Sequence, residues 1–158
     1  MKKIRCLVFD VDGTLTDGKI HISSDGELYK SFDVKDGYGI KCLLPCRGIQ
    51  AAIITGRKSQ IVELRAKELG IKYVYQNIKD KAAALQDLRL KLGISLEEIA
   101  FMGDDVNDLP AMKIAGIAAC PKDAVEEVKQ VCAYVCKKKG GGGAAREWIE
   151  HLIEQGLG

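Results

Sequence analysis

The residues best suited to chemistry stand at the end of the first apolar run, where Asp10-Val11-Asp12-Gly13-Thr14 follows Leu7-Val8-Phe9. Carboxylates two positions apart on a strand point the same way, so Asp10 and Asp12 are expected to face one small space where their repulsion calls for a cation or a shared proton. A Mg2+ ion meets that need, since it takes hard oxygen ligands and leaves positions open for phosphate oxygens. Alone, the pair is equally an acidic turn after a strand. Thr55-Gly56-Arg57-Lys58 and Gly103-Asp104-Asp105-Val106-Asn107-Asp108 each follow a further apolar run and add to it. Asp104 and Asp105 are candidates for additional metal carboxylates, Thr55 offers a hydroxyl to a phosphoryl oxygen, and Lys81 a balancing cation. The set suits phosphoryl transfer, which asks for Mg2+, a lysine, hydrogen-bond donors and an in-line nucleophile.

The elements that must position these side chains are legible in the apolar pattern. Runs at 6–9, 51–54, 99–102 and 116–119 read as buried parallel strands. Ser59 starts an amphipathic helix that stops at Gly70, and 79–92 repeats the helical pattern. A short strand is expected around 72–75. Alternating strands and helices imply right-handed crossovers and an α/β fold of Rossmann-like, three-layer type with a central parallel sheet. Ligands in such folds sit outside the carboxyl ends of the strands, which is where the acidic loops fall. One segment interrupts the alternation: 19–23 and 28–32, with Ser24-Asp25-Gly26-Glu27 between them, read as an inserted β-hairpin. Residues 137–143, three lysines and four glycines, read as a flexible C-terminal tail before a last helical pattern at 144–155.

A chain of 158 residues fits one domain, 1–158. It is 47% hydrophobic and 29% charged with a formal net charge of +2, which gives no reason to expect nucleic acid or a membrane surface as partner. Lys2, Lys3 and Arg5 precede too short an apolar run for a signal peptide or a membrane span, so a cytoplasmic location is the default expectation. The six cysteines sit in or beside apolar runs and are expected to be reduced. Cys42/Cys46 and Cys132/Cys136 share a C-x3-C spacing, but His21 and His151 lie far from both, which disfavours zinc.

The four segments DVDGT, IITG, Lys81 and GDDVND occur in the order of the four motifs of the haloacid dehalogenase superfamily, which the chain resembles. The resemblance implies that Asp10 is a nucleophile forming an aspartyl-phosphate and that Asp12 is the general acid and base. It implies that Mg2+ is held by the Asp10 and Asp104 carboxylates and the Asp12 backbone carbonyl, with Asp105 and Asp108 supporting the shell. Thr55 and Lys81 would hold the phosphoryl oxygens.

Neither insertion point leaves room for a cap domain, so the site is expected to be open unless a neighbouring subunit covers it. Asp17-Gly18, the hairpin, Lys30-Ser31-Phe32-Asp33-Val34-Lys35-Asp36-Gly37-Tyr38-Gly39-Ile40 and the glycines before Arg146-Glu147 are similar to the capless family acting on 3-deoxy-D-manno-octulosonate 8-phosphate. That likeness implies a Mg2+-dependent homotetramer with packed hairpins, in which a neighbour's tail approaches the site. Gly13, Gly56, Arg57 and Lys58 are then candidate substrate contacts, as are Lys35, Asp36 and Gly37 at a helix start. Arg65 and Arg146 are candidates to meet the anionic sugar acid, although Arg65 is also readable as part of a solvated helix face. The same likeness implies that Arg57 favours the eight-carbon acid over a nine-carbon relative. Other readings are a non-catalytic oligomerisation module and a protein phosphatase using the open site. Pro45 departs from the family pattern and is expected to stop or kink the helix before it.

Overall fold

The computed structural model describes residues 3–158, so Lys2 lies outside it. In chain order the elements begin with β1 (Cys6–Phe9), the hairpin strands β2 (His21–Ser23) and β3 (Gly26–Tyr29), and α1 (Val34–Tyr38). They continue with β4 (Gln50–Ile54), α2 (Gln60–Leu69), β5 (Tyr73–Tyr75) and α3 (Lys81–Leu92). The last six are β6 (Ile99–Met102), α4 (Leu109–Ile114), β7 (Ile117–Cys120), α5 (Glu126–Lys129), β8 (Tyr134–Val135) and α6 (Ala144–Glu154). The main sheet is parallel throughout, in the order β5-β4-β1-β6-β7-β8, and the hairpin forms a separate two-stranded sheet.

Alternation along fully buried strands divides the core into the two faces of a three-layer sandwich. Leu7, Phe9, Ala100 and Met102 face one side, where they meet Val62, Ala66, Trp148, Ile149 and Leu152 of α2 and α6. Cys6, Val8, Ile99 and Phe101 face the other, against Leu85 and Leu88 of α3, Met112 of α4 and Val128 of α5. Helix α2 begins where expected, with the Ser59 side chain accepting the Val62 N–H, and ends at Gly70. Asp80 caps α3 in the same way through the Ala83 N–H, so the helix starts two residues later than its pattern suggests.

Pro45 has the expected effect: α1 runs into a π-helical turn (Gly39–Leu43), and the proline opens a 3-10 turn (Pro45–Arg47) that ends at Gly48. The hairpin is shorter than 19–32, and its bend is the Ser24-Asp25 pair alone.

The C-terminal segment differs from the expectation of a flexible tail from 137. The Gly141 N–H donates to the Thr14 carbonyl at 3.2 Å, and the Gly140 N–H to Asp123 Oδ1 at 3.0 Å. A Cβ on Gly140 would overlap the Gly13 carbonyl, so only glycine lets this strap lie against the loop after β1. The Glu147 carboxylate accepts the N–H groups of Lys137 at 2.8 Å and Lys138 at 3.0 Å. Helix α6 itself is core: Trp148, Ile149 and Leu152 are fully buried. The polar composition of 137–143 reflects backbone contacts that need small residues, not absence of structure.

Candidate active site

The loops at the carboxyl ends of β1, β4 and β6 enclose a cleft of about 170 Å³ lined by Asp10, Asp12, Thr55, Gly56, Arg57, Asp104, Asp105 and Asn107. Asp10 directly follows the last residue of β1, its N–H is held by the Met102 carbonyl at 3.0 Å, and it is 5% exposed. Its carboxylate meets the Lys81 ammonium at 2.9 Å. Lys81, the first residue of α3, is fully buried and also bonds Asp108 Oδ1 at 2.5 Å. Burial works to lower its pKa, but the charges of Asp10 and Asp108 outweigh burial and keep the ammonium charged.

Asp108 organises the third loop. Its second oxygen accepts the N–H groups of Asp104 at 3.0 Å and Asp105 at 3.2 Å, and its side chain fills the space that a Cβ on Gly103 would need. Asp104 accepts the Thr14 hydroxyl at 3.1 Å. Gly13, at φ +89, leaves room for the Asp104 carboxylate, which a Cβ at that position would strike. Asp10, Asp104 and Asp108 bring carboxylate oxygens within 4.8 Å of one another, close enough to share one metal ion. Burial and the charges of Asp10 and Asp108 push Asp104 up to about 8, the mark of an acidic cluster short of positive charge. All-oxygen donors in that state fit Mg2+.

Two expectations are corrected here. Asp10 and Asp12 line one cleft, but their carboxylates turn to different lysines, Lys81 and Lys30, because β1 ends at Phe9 and the alternation of a strand no longer applies. Asp12 points to Lys30 at 2.6 Å and lies 4.0 Å from Arg57 Nε. Its carboxylate is outside the three-acid cluster. The Asp105 carboxylate accepts the Val106 N–H at 2.7 Å and caps its own turn, with Asp108 rather than Asp105 completing the acidic group.

The candidate substrate contacts separate into two groups. Gly56 and Arg57 line the cleft, Gly13 lies beneath Asp104, and Lys58 is exposed one residue beyond Arg57. Lys35, Asp36, Gly37, Arg65 and Arg146 are not among the lining residues of this chain's cleft; Lys35 and Asp36 meet Arg146 at the start of α6, and Arg65 packs against Gly37 and the Asp33 carbonyl. Asp36 Oδ1 accepts the Arg146 N–H at 2.9 Å, which gives a buried helix start an acidic partner. The Arg146 side chain bonds Glu150 at 2.6 Å and the Lys35 carbonyl at 3.4 Å. Arg65 lies over the Phe32 ring and bonds the Asp33 carbonyl at 3.4 Å, and a Cβ on Gly37 would come within 2.5 Å of its guanidinium.

Asp36 carries a measurable consequence. Burial first, against the Arg146 and Gly143 N–H groups, raises its pKa to about 6 from an ordinary 3.8. The folded chain therefore holds this proton more tightly than the unfolded chain, and stability falls as pH rises between those values. Asp36→Asn keeps an acceptor for Arg146 and should be more stable than the parent well above pH 6 by about 3 kcal/mol, with little difference near pH 4. Urea unfolding at both pH values checks this; a variant less stable at high pH contradicts it.

Sequence reasoning missed Lys30, Glu27 and Asn107 as site residues, and found Ser59 only as a helix cap and Thr14 only as part of the first motif. Lys30, Glu27 and Ser59 link the hairpin to the cleft, and the opposite charges of Glu27 and Lys30, three residues apart, are the one feature of the chain that hints at the link.

A haloacid dehalogenase-like hydrolase family model matches residues 73–147. Over 152 residues the chain is 43% identical to the 3-deoxy-D-manno-octulosonate 8-phosphate phosphatase KdsC of Escherichia coli (strain K12), covering 96% of this chain and 80% of the relative. A cobalt-bound deoxy-D-mannose-octulosonate 8-phosphate phosphatase from Haemophilus influenzae superposes with a TM-score of 0.93 at 41% identity, over 98% of this chain and 90% of the other. A Moraxella catarrhalis 3-deoxy-D-manno-octulosonate 8-phosphate phosphatase in complex with a magnesium ion, a phosphate ion and KDO gives 0.92 at 44% identity, over 96% and 86%. With its acidic loops at successive strand ends and this degree of likeness along nearly its whole length, the chain belongs to the haloacid dehalogenase-like hydrolases.

Proposed function

We propose that this chain is a Mg2+-dependent phosphatase that hydrolyses 3-deoxy-D-manno-octulosonate 8-phosphate through an aspartyl-phosphate on Asp10. The observation that carries the chemistry is the Asp10 carboxylate, set at the end of β1 beside buried Lys81 and within reach of Asp104 and Asp108. The substrate rests on likeness to the Moraxella catarrhalis enzyme, whose complex holds KDO and phosphate.

In this reading Asp10 Oδ attacks phosphorus in line while the ester P–O bond breaks, and the Asp12 carboxyl gives its proton to the departing sugar oxygen. The Asp12 carboxylate then takes a proton from water as the water oxygen attacks phosphorus, releasing Asp10 and inorganic phosphate. Lys81 and Thr55 hold phosphoryl oxygens, and Arg57, at the cleft mouth, takes the sugar acid's carboxylate as a planar fork. The Asp10 and Asp104 carboxylates and the Asp12 carbonyl would hold Mg2+, with Asp108 behind them; when bound, it offsets the charge on the phosphoryl oxygens. Phosphate release from a panel of eight- and nine-carbon sugar-acid phosphates, hexose phosphates and a phosphopeptide tests the reading. Selective turnover of the eight-carbon ester is expected. Preference for the nine-carbon ester would move the chain to the sister activity, and preference for the phosphopeptide would contradict a small-molecule substrate.

The homotetramer belongs to the same proposal. Ile22, Leu28 and Tyr29 are 63%, 58% and 51% exposed on a hairpin that projects from the sheet, an apolar surface suited to packing against copies of itself. Light scattering should return a tetramer mass; a monomer would contradict it. No helix among the described residues is long and apolar enough to cross a membrane. The cytoplasmic location is part of the proposal, and cell fractionation with a phosphatase assay tests it.

A further inference from the structure

Ile22, Leu28 and Tyr29 of the hairpin are exposed, yet the Lys30 side chain just past β3 is only 2% exposed. An ammonium withdrawn from water is costly unless carboxylates surround it. Lys30 has two, Asp12 Oδ1 at 2.6 Å and Glu27 Oε1 at 3.0 Å. Glu27 is fixed in turn, its other oxygen accepting the Ser59 hydroxyl at 2.5 Å. Ser59 caps α2 and donates its own N–H to Gln76 Oε1 at 2.8 Å. An unbroken polar chain thus joins Asp12, Lys30 and Glu27 to the start of a core helix. Lys30 is not among the residues that line the cleft. It holds one oxygen of Asp12 from behind, while the other oxygen is turned toward the cleft-lining Arg57.

We propose that Lys30, braced by Glu27 and Ser59, is a positioning residue that holds the Asp12 carboxyl in the orientation from which one oxygen exchanges protons with the leaving group and with water. This rests on the phosphatase reading above and extends it to residues of the hairpin. Phosphoryl transfer to Asp10 needs a proton from Asp12 only when the leaving oxygen is a strongly basic alkoxide. A nitrophenolate leaves without one. Loss of the Lys30 contact should therefore spare transfer from an activated aryl ester while slowing transfer from an alkyl ester. Hydrolysis of the Asp10 phosphate, which needs Asp12 as base, should slow in both.

The test uses the Mg2+-loaded full chain, the parent and Lys30→Met, with p-nitrophenyl phosphate and the eight-carbon sugar-acid phosphate in rapid mixing. Lys30→Met is expected to lose about 10²-fold in kcat on the sugar ester with KM within a few-fold, the size of a general acid–base contribution. On the aryl ester it should give a burst of nitrophenolate approaching one per active site at near-parental rate, followed by slow turnover. Glu27→Gln retains the shape of the brace but removes one of the two charges on Lys30, and should show the same split to a smaller extent. It carries the test if Lys30→Met does not fold. An active parent whose folded variants lose both esters alike, burst included, or lose neither, overturns the positioning role alone. An inert parent overturns the phosphatase reading and this role with it.

Discussion

Asp10→Asn is expected to lower turnover of any phosphate ester by roughly 10⁴-fold or more, because the covalent route disappears and only binding and electrostatic stabilisation remain. The amide keeps the volume of the side chain and one acceptor for Lys81, so the loss would not come from collapse of the site. Removing the Asp10 charge relieves the acidic cluster, whose crowding is evident in the raised pKa of Asp104. The variant should consequently unfold at a temperature no lower than the parent's in the absence of Mg2+. A steady-state assay with thermal unfolding checks both halves. An Asp10→Asn protein that retains parental activity would remove Asp10 from the chemistry and bring forward the reading of the fold as an oligomerisation module.

Lys81→Met should have the second-largest effect and a different signature. The ammonium lies between Asp10 and Asp108 with no exposure to solvent. Its removal leaves buried carboxylates facing each other, a defect costing about 3–5 kcal/mol of stability. Loss of a cation aimed at the transferring group should lower kcat by a further 10²–10³-fold, roughly. Because the cluster becomes more negative, Mg2+ should raise the unfolding temperature of the variant by more than it raises the parent's, since a ligand stabilises in proportion to its preference for the folded form. An equal Mg2+-induced shift in both proteins would mean that Lys81 does not share its field with the metal site.

The parts of this site that could be read from the chain are those placed by local rules. Asp10, Thr55 and Asp104 each stand just past an uninterrupted apolar strand, and parallel sheets put such positions on one edge. Ser59 and Gly70 mark α2 through capping chemistry that depends on nearby residues only. What escaped depends on tertiary contact. Lys30 sits in a hairpin of alternating polar residues and reads as a solvated lysine until folding sets it against Asp12, eighteen residues earlier. Asp36, Arg65 and Arg146 have the charge and position of ligand groups, yet Asp36 takes the Arg146 N–H at the start of α6 and Arg65 bonds the Asp33 carbonyl and Glu68. Strand β8, two residues long, has no periodicity to detect, and the glycines at 140–143 have the composition of a linker because close backbone packing favours the same residue.

Passage of phosphate through Asp10 can be seen by acid-quenching the enzyme during turnover of the eight-carbon sugar-acid phosphate with Mg2+, then determining the mass of its peptides. One added phosphoryl group is expected on the peptide containing Asp10, sensitive to alkali as an acyl phosphate is, and absent from Asp10→Asn. Turnover with no phosphorylated peptide under any quench time, or with the phosphoryl group on another residue, would contradict it.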